Sequence, residues 1–274
     1  MIENVVGLYF SPAGNTAKIT RKITKILSEK LDEICVDKIS YEYLDLLKEP
    51  LEENITYGKE TVVVIGMPVY MGRIPLVCVK FMQKLHANGA FTVVVVSYGN
   101  RSYGDALYEL YTFADEQGFS VISAGAFVSQ HAMFENIAAG RPDSQDMEKI
   151  SEFSRISANK IIKLSGSEID ELRIKPAPLM IKGSKPVKKP MRIPVHPIAG
   201  SECTACGKCA EICPTQAIST TDPKKVNLKK CICCTACMHV CENGARGLFG
   251  PMTLASKAAM EILCSKRKEP EWFI

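Results

Sequence analysis

Nine of the twelve cysteines in this 274-residue chain fall between Cys203 and Cys241. They form two runs of the same spacing: Cys203, Cys206, Cys209 and Cys213, then Cys231, Cys234, Cys237 and Cys241. Thiolates at three-residue intervals suit the corners of an iron–sulfur cube. Zinc sites instead use Cys pairs separated by longer spacers. Disulfides do not suit the reducing compartment implied by the start Met1-Ile2-Glu3-Asn4, which lacks the basic and apolar stretches of a secretory signal. The expected location is therefore cytoplasmic. Cys35 and Cys78 lie in apolar contexts and read as small buried hydrophobes. Cys233 reads as a bystander next to a ligand, and Cys264 as part of a helix near 252–266. His131 and Arg141 read as structural.

A second chemical signal lies in three loops of the first half. Ser11-Pro12-Ala13-Gly14-Asn15-Thr16 leaves an apolar run and opens a helical pattern. Backbone N–H groups at such a helix start, with Ser11, Asn15 and Thr16 side chains, suit a phosphate. The same loop also reads as a capped turn with Asn15 or Thr16 as N-cap. It is neither G-x-G-x-x-G nor a P-loop, which argues against a dinucleotide, ATP and direct NAD(P)H oxidation. The loops Pro68-Val69-Tyr70-Met71-Gly72-Arg73 and Ser97-Tyr98-Gly99-Asn100-Arg101, the latter continuing through Tyr103 to Asp105, offer aromatics beside glycines. Glycine lets backbone approach a flat ring, and Tyr70 and Tyr98 could cover its faces.

These loops need a scaffold, and the pattern supplies one. Val5–Phe10, Thr61–Ile65, Phe91–Ser97 and Phe119–Phe127 read as strands, with Ile34–Lys38 a further candidate. Ile19, Ile23, Ile26, Leu27 and Leu31 share one face of a helix over Asn15–Leu31, and helical stretches are expected near 75–86, 104–117 and 144–164. β-branched runs alternating with helices predict a doubly wound α/β domain over 1–165. In such folds ligands bind at the carboxyl ends of strands, where these loops sit. Six prolines between Pro176 and Pro197, with Lys182, Lys185, Lys188, Lys189 and Arg192, predict a basic, extended linker over 166–196. A small cysteine domain over 197–250 and a helix and tail over 251–274 complete the expected organisation.

Residues 1–165 resemble a flavodoxin-type domain. Ser-Pro-Ala-Gly-Asn-Thr is similar to that family's phosphate loop, and the Pro-Val-Tyr-x-Gly-Arg-x-Pro and Ser-Tyr-Gly-Asn-Arg-x-Tyr segments to its isoalloxazine loops. The resemblance implies a five-stranded parallel sheet in the order 2-1-3-4-5 and a non-covalent FMN. Ser11, Gly14, Asn15 and Thr16 would hold its phosphate. Pro68, Val69, Tyr70 and Gly72, with Tyr98, Gly99, Asn100 and Tyr103, would contact the ring. Residues 198–248 resemble a bacterial two-[4Fe–4S] ferredoxin, in which the fourth Cys of each run serves the other cluster. That implies one cluster on Cys203, Cys206, Cys209 and Cys241 and another on Cys231, Cys234, Cys237 and Cys213. Cys213-Pro214 follows the family pattern, whereas Glu242 stands where the second run would carry Pro.

Together the two resemblances, which cover most of the chain, point to the flavodoxin–ferredoxin fusions of anaerobes. They imply an electron carrier coupling one- and two-electron steps, with redox protein partners. The alternatives are an FMN-dependent oxidoreductase acting on a quinone, a porphyrinogen or a sulfur species, and a cluster-based sensor. Transfer within one chain and transfer across a homodimer both remain open. Positions 1–165 carry a net charge of −3 and the rest +7. Two oxidised clusters at about −2 each and an FMN phosphate at about −2 would more than offset the formal +4 of the whole chain. The basic balance therefore does not argue for nucleic acid. No apolar run reaches the roughly 18 residues of a membrane span.

Overall fold

The computed structural model describes residues 2–33, 38–165, 177–184 and 195–274. Ten strands and seven helices are found among these. β1 (Asn4–Tyr9), β4 (Thr61–Pro68), β6 (Phe91–Tyr98) and β7 (Ser120–Val128) are almost entirely buried. This is the burial their β-branched runs require in a sheet covered on both faces. β2 (Ser40–Asp45) pairs outside β1 and is largely exposed. The expected Ile34–Lys38 strand falls mainly on 34–37, outside the described residues, and Cys35 lies there too.

The parallel strands lie in the order β2-β1-β4-β6-β7, so β4, β6 and β7 are the third, fourth and fifth strands of the expected 2-1-3-4-5 arrangement. α1 (Asn15–Asp32) and α4 (Ser144–Ser165) cover one face, where Ile19, Ile23, Leu27, Phe127 and Phe153 are buried together. α2 (Leu76–Met82) and α3 (Ala106–Glu116) cover the other, around Leu8, Ile65, Cys78, Met82, Val94 and Leu107. The helix expected near 75–86 ends at Met82. Beyond it, β5 (Leu85–Ala87) runs parallel to β3 (Ile55–Tyr57) in a separate two-stranded ribbon.

One strand has no counterpart in the sequence reading. β10 (Glu271–Phe273) adds to the β7 edge in antiparallel fashion, Trp272 opposite Gly125. The six-stranded sheet therefore begins in the first half of the chain and is finished by its last residues. Most of the expected linker, 166–176 and 185–194, lies outside the described residues. Its part at 177–184 returns to the first half: Leu179 and Ile181 are buried in the α2/α3 core. No helix among the described residues is long and apolar enough to cross a membrane.

The cysteine segment folds as a tandem of two similar halves, the stretch from Cys203 matching the stretch from Cys231 position by position. α5 (Lys208–Glu211) and α6 (Ala236–His239) are single turns. Each follows a positive-φ residue, Gly207 at 87° and Thr235 at 65°. Further positive-φ pairs, Ala205 with Cys233 and Gln216 with Gly244, obey the same offset. A short ribbon of β8 (Ile198–Ala199) and β9 (Arg246–Gly247) joins the halves. α7 (Pro251–Leu263), started by Pro251 at its first turn, then leads toward β10.

Candidate flavin and iron–sulfur sites

The three loops converge at the carboxyl ends of β1, β4 and β6. Ser11, Pro12, Ala13, Asn15, Thr16, Pro68, Val69, Tyr70, Met71, Gly72, Ser97, Tyr98, Gly99 and Arg101 all line one cavity of about 480 Å³. That volume is typical of cofactor sites, commonly about 300–1,000 Å³. At its phosphate-loop end Gly14, rather than Asn15 or Thr16, caps α1 with a left-handed φ of 81°, and the first turn of the helix carries no acidic residue. An anion there meets the positive end of an 18-residue helix without a competing carboxylate. Ser11 Oγ accepts from the Ala17 amide at 2.9 Å, and Thr16 Oγ1 lies 2.7 Å from Ser97 Oγ. The small, hydroxylated and aromatic lining fits a flat ring carrying a phosphate.

Several side chains expected to touch the cofactor are engaged elsewhere. Asn15 donates to the Gln130 carbonyl at 2.9 Å. Arg73 Nε donates to Glu109 at 2.8 Å, a carboxylate that also accepts from the Ile74 amide. Asn100 donates to the carbonyls of Cys264 and Lys266 at 2.7 and 2.9 Å and accepts from the Lys268 amide at 3.1 Å. Tyr103 bonds Glu271, next to its edge-on contact with Tyr98 at 5.7 Å. Asp105 accepts from the amide and hydroxyl of Ser184. Part of the third loop thus anchors distant chain segments beside the cavity. Arg141, read as structural, forms a buried ion pair with Asp146, its Nε 2.7 Å from Oδ2.

The structure adds lining that the sequence reading did not include. Ser129 through Phe134, at the carboxyl end of β7, forms one wall, and Ser256 and Met260 of α7 form another. Gly99 is glycine for this reason: a Cβ there would lie 2.9 Å from the Cα of His131. His131 stacks on Phe134 at 5.3 Å, and its Nδ1 accepts from the Met133 and Phe134 amides at 3.2 Å each. Burial pushes this imidazole down to about 4, so it is neutral at ordinary pH.

The eight run cysteines divide between two smaller cavities. Cys203, Cys206, Cys209 and Cys241 line one of about 120 Å³, and Cys213, Cys231, Cys234 and Cys237 line one of about 20 Å³. Each set draws three thiols from one run and the fourth from the other, as the resemblance implies. Thiol donors in fours suit iron, and the Ala217 amide already aims at Cys213 Sγ from 3.2 Å. Arg246 gives a second sign of fit. Its Nη2 donates to Cys209 Sγ at 3.2 Å, while its buried Nη1 has no acceptor among the described residues. A sulfur-rich group in the cavity that Arg246 lines would supply one. Glu242 is exposed and pairs with Lys208 of the other half at 2.5 Å, so it ties the tandem together at the surface.

The flavin-type cavity and the smaller Cys cavity share a wall. Cys233 lines the former and Cys234 the latter, and Tyr70 Oη, in the former, donates to the Cys234 carbonyl at 3.4 Å. Cys233 Sγ donates to the Val195 carbonyl at 3.2 Å and lies 3.2 Å from His196 Nδ1. Cys233 is thus a boundary residue between the two cavities.

Residues 197–219 match the family model described as a 4Fe-4S binding domain. No curated protein matches the chain. Among solved structures, a flavodoxin from the domain Archaea aligns over 59% of this chain and 99% of its own, at 17% identity and a TM-score of 0.43. A flavodoxin of Megasphaera elsdenii aligns over 57% and 98%, at 15% identity and 0.37. Rubredoxin oxygen:oxidoreductase of Desulfovibrio gigas aligns over 60% and 37%, at 15% identity and 0.40. The strand order is thus that of a flavodoxin-like α/β sheet, and the cysteine segment that follows it in the chain carries a match to a 4Fe–4S binding domain.

Proposed function

We propose that this protein is an electron carrier. It would bind FMN in the cavity at the ends of β1, β4, β6 and β7, and two [4Fe–4S] clusters on the two cysteine quartets. FMN exchanges electrons singly or in pairs and each cluster exchanges one, so together they couple two-electron donors to one-electron acceptors. The protein's part is binding and placement. The start of α1 with Ser11 and Thr16 receives the phosphate, Tyr70 and Tyr98 border the ring, and the thiolates hold the iron.

The observation that carries this reading is the shared wall. Tyr70, Cys233 and Cys234 bring the flavin cavity against the Cys213/231/234/237 site within one chain. This supports transfer inside the chain rather than across a homodimer. The other quartet, with exposed Cys206, is suited to pass electrons to redox protein partners. Ser256 and Met260 of α7, which add a wall to this cavity, narrow the room beside the ring and favour a carrier over an oxidoreductase that admits a quinone, porphyrinogen or sulfur compound.

Anaerobically purified protein should hold about eight iron and eight sulfide per FMN. In stopped-flow reduction, Cys234→Ala should slow flavin reduction from the clusters at least tenfold, with a rate independent of protein concentration in the unmodified protein. Flavin reduction unaffected by that change, or a rate that rises with protein concentration, would defeat the reading.

A further inference from the structure

The tandem repeat makes the two quartets comparable position by position, and one difference stands at their centre. At the same offset beyond the last cysteine of each run, Cys213 and Cys241, the first half has Ile218 and the second Arg246. Both are buried, at 6% and 4% exposure. At Ile218 the wall is apolar, continued by Ala217 and Ala236 beside Cys234. At Arg246 the wall is a permanent cation. Its Nη2 touches Cys209 Sγ and the Pro223 carbonyl, and its Nη1 is left for the contents of the Cys203/206/209/241 cavity.

We infer that Arg246 sets the two clusters apart, holding the Cys203/206/209/241 cluster at a higher reduction potential than the Cys213/231/234/237 cluster. The inference rests on the two-cluster reading proposed above. Reducing a four-thiolate cluster adds one negative charge to a group already near −2. A guanidinium bonded to its sulfur stabilises that charge, and more so where water is excluded. The other cluster, walled by Ile218 and alanines, gains its electron in an apolar surrounding, which disfavours added charge. Among the described residues Arg246 makes no hydrogen bond to a sulfur of the other quartet. Coulomb attraction falls with distance, so the nearer quartet benefits more. An electron leaving the flavin would meet the low-potential cluster first and settle on the outer one, which biases flow away from the flavin.

Potentiometric titration of the intact holo-protein, followed by electron paramagnetic resonance, tests this. The two steps are assigned with Cys203→Ala, which removes or converts the Arg246-side cluster. Arg246→Ile, which copies the first half, should cut the reduced-to-oxidised ratio of that cluster at least tenfold at the original midpoint, equivalent to about 59 mV for one electron. The other step should move less, and Arg246→Lys should restore part of the shift. Full iron content with an unmoved step, or a larger shift in the other cluster, would overturn the inference. If Arg246→Ile loses iron, Arg246→Gln and Arg246→Lys take its place. Loss of iron in all three would make Arg246 a structural residue and overturn the inference too. Unmodified protein without eight iron and sulfide would instead sink the two-cluster reading.

Discussion

The flavodoxin-like half and the cysteine half achieve order by opposite means. The first encloses two apolar layers on either side of one sheet, with Phe91, Phe127, Phe153 and Leu27 almost fully buried. In the segment 197–250 the buried side chains are few and mostly small: Pro197, Ala210, Ala217, Ile218, Pro223, Cys233, Cys234, Thr235, Ala236, Ala245 and Arg246. At about 25 cal/mol per Å² of apolar surface, alanines and single-turn helices cannot offset the entropy of ordering so long a segment. The thiol quartets occupy the place a core would take. One half is held by exclusion of water; on the reading proposed above, the other would be held by bonds to metal.

The largest test of this contrast is removal of iron. Stripping the metal with a chelator under mild oxidation should leave the sheet folded and abolish amide protection across 203–247. Hydrogen exchange reads both halves at once. Loss of protection in β4 and β6 as well would mean that the halves are not independent, and retained protection around the cysteines would mean that they fold without metal.

A smaller effect is expected at the joint. Asn100 accounts for three hydrogen bonds to residues 264–268. Asn100→Ala leaves those backbone groups unpaired and should destabilise the attachment of α7 and β10 by about 2–3 kcal/mol. Iron content should not change. Thermal unfolding of the sheet with an unmoved midpoint would show that residues 264–268 are held by other contacts.

The smallest effect is a pH dependence at the cavity lined by His131. His131 has its folded pKa held near 4, below the ordinary 6.5, so unfolding takes up a proton. The stability it contributes is complete above about pH 6.5, is lost progressively as pH falls toward 4, and amounts to at most about 3 kcal/mol. His131→Gln should remove that component, so the two proteins' denaturation profiles should differ in slope between pH 6.5 and 4. Parallel profiles would refute a buried neutral imidazole.

The same contrast governs what is legible in the sequence. The quartets are legible because three-residue cysteine spacing is a local pattern that suits a small cube, and folding only has to bring the two runs together. The phosphate and ring loops are legible in part, since Ser11, Thr16, Tyr70 and Tyr98 face the cavity through local turn geometry. Asn100 and Tyr103 are not, because their partners lie near the other end of the chain. The rule that sites gather at the carboxyl ends of strands points to residues after β7, and following it to Ser129–Phe134 would have found the fourth loop. β10 gives no signal, since Glu271–Phe273 is too short to show alternation. Arg246 is visible only as a residue. Its meaning comes from the register of the tandem repeat, which sets it against Ile218.

β10 also changes what kind of joint connects the halves. Because β7 and β10 are neighbours in one sheet, the cysteine segment is an insertion between two adjoining strands, anchored at both ends, rather than an appendage on a single tether. A single protease cut between α4 and Val195 would then leave two pieces that still travel together, and the cysteine quartets could not wander from the cavity at the ends of β1, β4 and β6 even with the covalent link broken on one side.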